Sequence, residues 1–164
     1  MANVIANVLT GVALITYDTT GGAASVGVTT ELGYTEDGVI VEYTPTVVDI
    51  EVEEETFAIN RVITKEEITV TCNCAENLEA NLLTALAGGT GSPIILDAGA
   101  LQDFALKIYG LTTGGLHRTI YIPYAHSVGT VAMSYRKGEK TIIPITFKAY
   151  KHGVGIDVCT ITDA

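Results

Sequence analysis

Short runs in which apolar and polar residues alternate recur along almost the whole chain. A period of two buries one face of a β-strand and leaves the other in water. VALITYD (12–18), DFALKIYG (103–110), RTIYIPYA (118–125) and KTIIPITFKAY (140–150) are rich in β-branched and aromatic residues. Each is set off by turn-forming residues and predicts a strand. PIILDA (93–98) and GTVAMSY (129–135) predict two more, with RKGEK (136–140) as the turn between GTVAMSY and KTIIPITFKAY. The tail HGVGIDVCTITDA adds a candidate last strand.

The longest signal is a pair of runs. VIVEYTPTVVDIEV (39–52) carries Pro45 inside it, and its alternation changes phase there: Glu42 and Thr44 share a face with Val48, Ile50 and Val52. A proline with a phase change predicts an edge position, a bulge or a break. FAINRVITKEEITVTCN (57–73) returns as a second long strand, so the two predict an extended hairpin with acids near its tip. Upstream, TTGGAASVG reads as a flexible segment, and Asp37-Gly38 reads as a tight turn. One segment has a different period. Leu78, Leu82 and Leu86 recur every four residues and predict a single helix over 75–87. Asn73 is its expected N-cap, Glu76 completes a capping box, and Gly88-Gly89 is a left-handed C-cap.

Composition narrows this picture. The 164 residues fit one domain, 1–164, of mainly β class, an antiparallel β-sandwich or half-barrel with one helix. A net charge of −10 argues against a basic nucleic-acid binder or a polybasic membrane anchor. Mean hydropathy is +0.36, yet no run of about 18 apolar residues provides a transmembrane helix. Apolarity of this degree without a membrane span points to surface buried against other subunits. The opening MANVIANVLTG has no basic n-region or unbroken apolar h-region, so no signal peptide is expected. Three cysteines, an odd number, fit a reducing compartment better than a disulfide framework.

No motif supplies catalytic chemistry. Cys72 and Cys74 share a strand face with Ile68 and Val70, which fits apolar core; without a second Cys or His pair they are a poor zinc site. His117, His126 and His152 lack ligand spacing, no serine sits in a G-x-S-x-G elbow, and GGTGSP lacks the Lys-Ser/Thr ending of a P-loop. No catalytic residue, cofactor or metal is therefore expected. The stretch from Asp49 to Glu55 is the exception in charge, with five carboxylates in seven residues. Calcium would want a curved loop with backbone carbonyls. A glycosidase pair needs only two carboxylates across a cleft, but the chain has no Trp and only three Phe for stacking on a sugar, alongside eight Tyr. A solvated tip and a surface that repels a polyanion stay open beside these.

The layout resembles the tail tube (major tail) proteins of long-tailed bacteriophages, which share a fold with the hemolysin-coregulated tube protein of type VI secretion. DGVIVEYTPTVVDIEVEEETFAINRVITKEEITVTCNCAENLEANLLTAL (37–86) carries the likeness: a glycine-initiated strand, a Y-x-P segment, an acidic hairpin, a return strand and a helix. KGEKTIIPITFKAY (137–150) resembles the family's last turn and closing strand.

That resemblance implies a structural, non-enzymatic protein, a homo-oligomer of hexameric rings stacked into a tube. Each subunit would add four strands to a common barrel. About 24 strands spaced about 4.8 Å apart enclose roughly 45–50 Å between backbones, enough for duplex DNA. An acidic wall suits a conduit, because bound cations on the wall would hold the phosphates. Asp49, Glu51 and Glu67 are the expected lumen-facing acids. Glu53, Glu54, Glu55, Phe57 and Arg61 form the expected inter-ring hairpin, with Arg118, Arg136 or Lys137 as basic partners. The implied partners are tape-measure, tail terminator and baseplate or tip proteins, with duplex DNA passing through without specific binding and no membrane contact. The implied location is the virion tail, assembled in the host cytoplasm. A secretion tube passing effectors, or an acidic carbohydrate-binding β-sandwich, are the alternative readings.

Overall fold

The computed structural model describes residues 13–22, 24–96, 99–110 and 117–163. Its elements are β1 (Ala13–Asp18), β2 (Thr30–Glu31), β3 (Thr35–Ile50), β4 (Asn60–Cys74), α1 (Glu79–Ala85), β5 (Gly89–Thr90), β6 (Ile95–Leu96), β7 (Asp103–Gly110), β8 (Arg118–Ser127), β9 (Ile143–Ala149) and β10 (Thr160–Asp163). The protein is mainly β and antiparallel, with one helix among the described residues. Two stacked sheets are not what forms. Eight strands make one sheet in the order β2-β1-β7-β8-β9-β4-β3, with β10 on β8, and β5-β6 form a separate ribbon. The described sheet does not close into a barrel, and β2 and β3 are its ends.

A single core nonetheless unites distant strands. Ile15 of β1 belongs to the same buried cluster as Val70 and Cys72 of β4, with Leu106, Ile122 and Phe147 between them in the sheet order. Strands that far apart share a core only if the sheet curls around it. The period-two pattern is the cause: Ile143, Ile145 and Phe147 point inward from β9, and Val70, Cys72 and Cys74 point inward from β4. Both cysteines are free thiols packed as apolar residues, and burial pushes the Cys72 thiol up to about 12.

Several sequence expectations change here. The helix is only Glu79–Ala85, begins after an extended Leu78 and has no side-chain cap. Asn73 cannot cap it, because the β4–β9 ladder continues through Asn73 and Cys74, opposite Pro144 and Ile143. Glu76 instead accepts the Tyr34 N–H at 3.3 Å. Leu78 is exposed, and the buried helix residues are Asn81, Thr84 and Ala85. Asn81 bonds the Glu76 carbonyl at 3.0 Å and the Cys74 sulfur at 3.3 Å. At the far end the Ser127 hydroxyl donates to the Ala85 carbonyl at 2.7 Å, so a β8 side chain satisfies an orphan carbonyl. The expected Gly88-Gly89 cap does not form; Leu86 is the C-cap and Gly89 opens β5.

Asp37-Gly38 is not a hairpin turn either. Both residues have positive φ, 62° and 79°, and they form a bulge inside β3 between the Glu36 and Val39 pairs. GTVAMSY makes no strand, and only Val131 of its large side chains packs on the core. Val128 bonds Thr146 across from β9, and Gly129 sits against Thr146 too closely for a Cβ. On that flank of β9 the ladder stops after Phe147 and the Val128 bond, although β4 pairs the opposite flank down to Ile143; Pro144, with no N–H, lies on this stretch. The final strand does form, as β10 on β8.

Candidate functional site

The β3–β4 hairpin sets the character of the surface. Its root lies in the sheet, because β9 pairs with β4 over Thr69–Cys74. Beyond Thr69 the two strands continue to Ile50 and Asn60 with only each other as neighbours among the described strands. Pro45 falls in β3, an edge strand, where a missing N–H is tolerated. One residue on, a bulge follows: Thr46 pairs with Lys65 and Val47 with Ile63, so Thr64 has no counterpart. Pro45 thus marks an edge, while the bulge lies across from it in β4 and β3 itself keeps its alternation.

Beyond the bulge the ribbon is apolar on both faces. Val47 and Ile63 oppose each other on one face, Val48 and Val62 on the other, and all four are exposed. Ile50, Ile59 and Phe57 extend this surface to the tip, where Phe57 is 82% exposed. A two-stranded ribbon is marginal by itself, and apolar residues on both faces give it nothing to gain from water. The Ile59 N–H closes the tip by donating to the Ile50 carbonyl at 2.9 Å.

The acids divide into two groups. Asp49 lies on the alternation of Tyr43 and Val47, whereas Glu67 lies on the opposite one, with Lys65 and Thr69. Asp49 binds Arg61 directly across the ribbon, Nε to Oδ1 at 2.8 Å. Glu67 is bridged by Lys65 and by Lys148 of β9, the latter at 2.9 Å. These two ammonium groups hold its carboxyl below the usual range. The structure thus does not bring Asp49 and Glu67 onto one face, and Glu51 lies past the end of β3. Among the described residues Glu51, Glu53, Glu54 and Glu55 make no ion pair.

The three basic candidates differ as sharply. Arg118 is engaged by Asp163 of β10 through two bonds of 2.6 and 2.8 Å. Arg136 has only a loose contact of 3.8 Å to Glu139, and both side chains are largely exposed. Lys137 has no ion pair among the described residues.

Sequence spacing missed a second polar cluster. Asp103 at the start of β7 accepts bonds from the Tyr150 hydroxyl at 2.6 Å and from His126 Nε2 at 2.7 Å. The Tyr150 bond, then His126, holds the Asp103 carboxyl below its ordinary range, and burial with the Asp103 bond pushes Tyr150 up to about 12. His152 stacks on Tyr124 at 4.2 Å and His126 on Tyr150 at 4.3 Å. This cluster crosses a narrow seam of the sheet, where β8 and β9 pair only over Ala125–Ser127. Its members come from three separate strand ends, so no local motif announces them. It is a clamp between strands. No three His, Cys, Asp or Glu side chains converge as a metal site among the described residues.

Comparison with known proteins found no family model that matches the chain, and no curated protein matches it.

Proposed function

We propose that this chain is a structural subunit that polymerises, as stacked hexameric rings, into the tail tube of a bacteriophage. The observation that carries this reading is the distal β3–β4 ribbon, which has exposed apolar pairs on both faces and is covered by no other element among the described residues. Such a surface is an assembly surface unless it is an aggregation site. The outer edge of the sixteen-residue β3 supports it, since an unpaired strand of that length is a template for a neighbouring subunit.

The solvated face of the same strands suits a conduit wall. Glu42, Thr69, Lys148 and His126 follow one another in register across β3, β4, β9 and β8. Lys148 within this row and Lys65 beside it are both engaged by Glu67. Neither ammonium is then free to replace a DNA counterion, which is how a wall would grip phosphates. In this arrangement Glu67 lines the lumen as a partner for lysines, and Asp49 and Glu51 belong with the tip. Duplex DNA passes without specific binding, and the tube is part of the virion.

Electron microscopy and sedimentation of the purified protein over rising concentration test this. Rings or tubes with roughly 45–50 Å between opposite backbones of the inner barrel are the expected product. A protein that stays monomeric at every concentration, with or without a tail initiator complex, overturns the reading.

A further inference from the structure

We infer that Asp103, His126 and Tyr150 are the protein ligands of a ferric ion that ties the start of β7, the end of β8 and the end of β9 together. Asp103 and His126 alone are one ligand short of a metal site, since no third His, Cys, Asp or Glu joins them among the described residues. The phenol of Tyr150 is the third.

The three groups already converge on one point. The Tyr150 hydroxyl lies 2.6 Å and His126 Nε2 2.7 Å from the same atom, Oδ1 of Asp103. Two hydrogen bonds now fill that space. A metal–ligand distance of about 2.1 Å sets neighbouring donors of an octahedron about 3.0 Å apart. The two gaps therefore need to widen by only about 0.3–0.4 Å to admit an ion.

Packing holds the donors in place. The His126 and Tyr150 rings stack at 4.3 Å with 24° between their planes, and both turn their polar atoms toward Asp103. Tyr124 meets the Tyr150 ring edge-on at 5.8 Å. Tyr124 is itself held by His152, stacked at 4.2 Å, and by Gly21 and Gly22, where an added Cβ would collide with its ring. Ligands fixed by their surroundings in this way need little reorganisation to bind. The Asp103 and His126 side chains are 39% and 24% exposed, which leaves an entry path and positions for water ligands. Lys148, opposite His126 in the ladder, has its charge compensated by Glu67 at 2.9 Å.

The donor set selects the metal. Imidazole with carboxylate suits several first-row ions, zinc and iron among them. A phenolate is a hard anionic donor, and it favours ferric iron over zinc. Binding is ligand exchange without electron transfer: the phenol proton passes to water, and His126 binds through Nε2 with its hydrogen on Nδ1. An ion held this way would reinforce a seam at which β8 and β9 share only the Ala125–Ser127 pairs. The site lies within one chain and is independent of assembly.

Titration of the full-length protein with ferric nitrilotriacetate, followed by visible absorption and thermal unfolding, tests this. One iron per chain should bind with a phenolate-to-iron charge-transfer band. A hundredfold excess over the dissociation constant should raise the thermal midpoint by roughly 5–10 °C. Tyr150→Phe keeps the ring and should lose the band, and Asp103→Asn and His126→Gln should each weaken binding by about tenfold or more. Tyr124→Phe removes a hydroxyl outside the ligand set and should keep the band, with circular dichroism showing which variants are folded. Absence of the band in folded wild type, even where zinc stabilises the protein, overturns the site. A band that survives Tyr150→Phe, or that Tyr124→Phe removes equally, also overturns it.

Discussion

The root and the tip of the β3–β4 hairpin are one covalent ribbon under two physical regimes. From Thr69 to Cys74, β4 has neighbours on both sides, and burial alternates until Cys74 is fully buried. From Asn60 to Glu66 it has one neighbour, and every residue is exposed. Apolar residues nevertheless continue through Ile63 and Val62. Strand propensity is similar in both halves, so the difference lies in what covers them. At the root the chain supplies its own second layer; at the tip no described element supplies one.

The sharpest way to break this comparison is to put a carboxylate into each half. Val70→Asp places an unpaired charge in the core and should abolish folding, since its cost of several kcal/mol rivals the total stability of about 5–15 kcal/mol. Far-UV circular dichroism reads this out. Ile63→Asp, only seven positions away, should leave the urea midpoint of the unassembled protein within about 0.5 kcal/mol of wild type while preventing assembly. Comparable loss of monomer stability in both variants would mean that the tip is not free.

A smaller effect tests the root region alone. Ser127→Ala removes the hydrogen bond to the Ala85 carbonyl at the end of α1 and leaves a buried acceptor unpaired. Denaturant unfolding should show a loss of about 1–3 kcal/mol. No change in midpoint would show that the helix end finds another partner.

Acid titration examines the clamp across the β8–β9 seam. The Asp103 carboxyl is depressed, so its contribution is complete above the ordinary carboxylate range and disappears as pH falls through its lowered folded value. Thermal unfolding of wild type should therefore weaken more steeply below about pH 4 than that of Asp103→Asn. Parallel curves would show that the clamp contributes nothing to acid stability.

The smallest effect belongs to the tip. Arg61→Gln breaks an exposed pair with Asp49, and the monomer should change by no more than about 1 kcal/mol, less at high salt. A larger change would show that this pair stabilises the ribbon before it is covered.

Much of this arrangement was legible from residue order. The long hairpin, its acidic tip, the edge proline and the buried cysteines all follow from the period of apolar positions. Where local signals competed, neighbours decided. Asn73 has the chemistry of a helix cap, but the β9 ladder holds it in a strand; Asp37-Gly38 has the chemistry of a turn, but β4 pairs on both sides of it and makes it a bulge. GTVAMSY alternates correctly but pairs with no strand beyond the Val128 bond to Thr146. The Asp103, His126 and Tyr150 cluster has no sequence signature, because its groups meet only when β7, β8 and β9 are aligned.

Local alternation, composition and charge were thus enough to establish a mainly β chain with a long acid-tipped ribbon, because burial on one face imposes a period that any reader can count. Only the folded sheet decided where that ribbon loses its cover, which faces Asp49 and Glu67 occupy, and which cations are already engaged. Those outcomes depend on a one-residue bulge and on how many strands lie alongside. Both are properties of neighbours brought together from elsewhere in the chain, and no local window contains them.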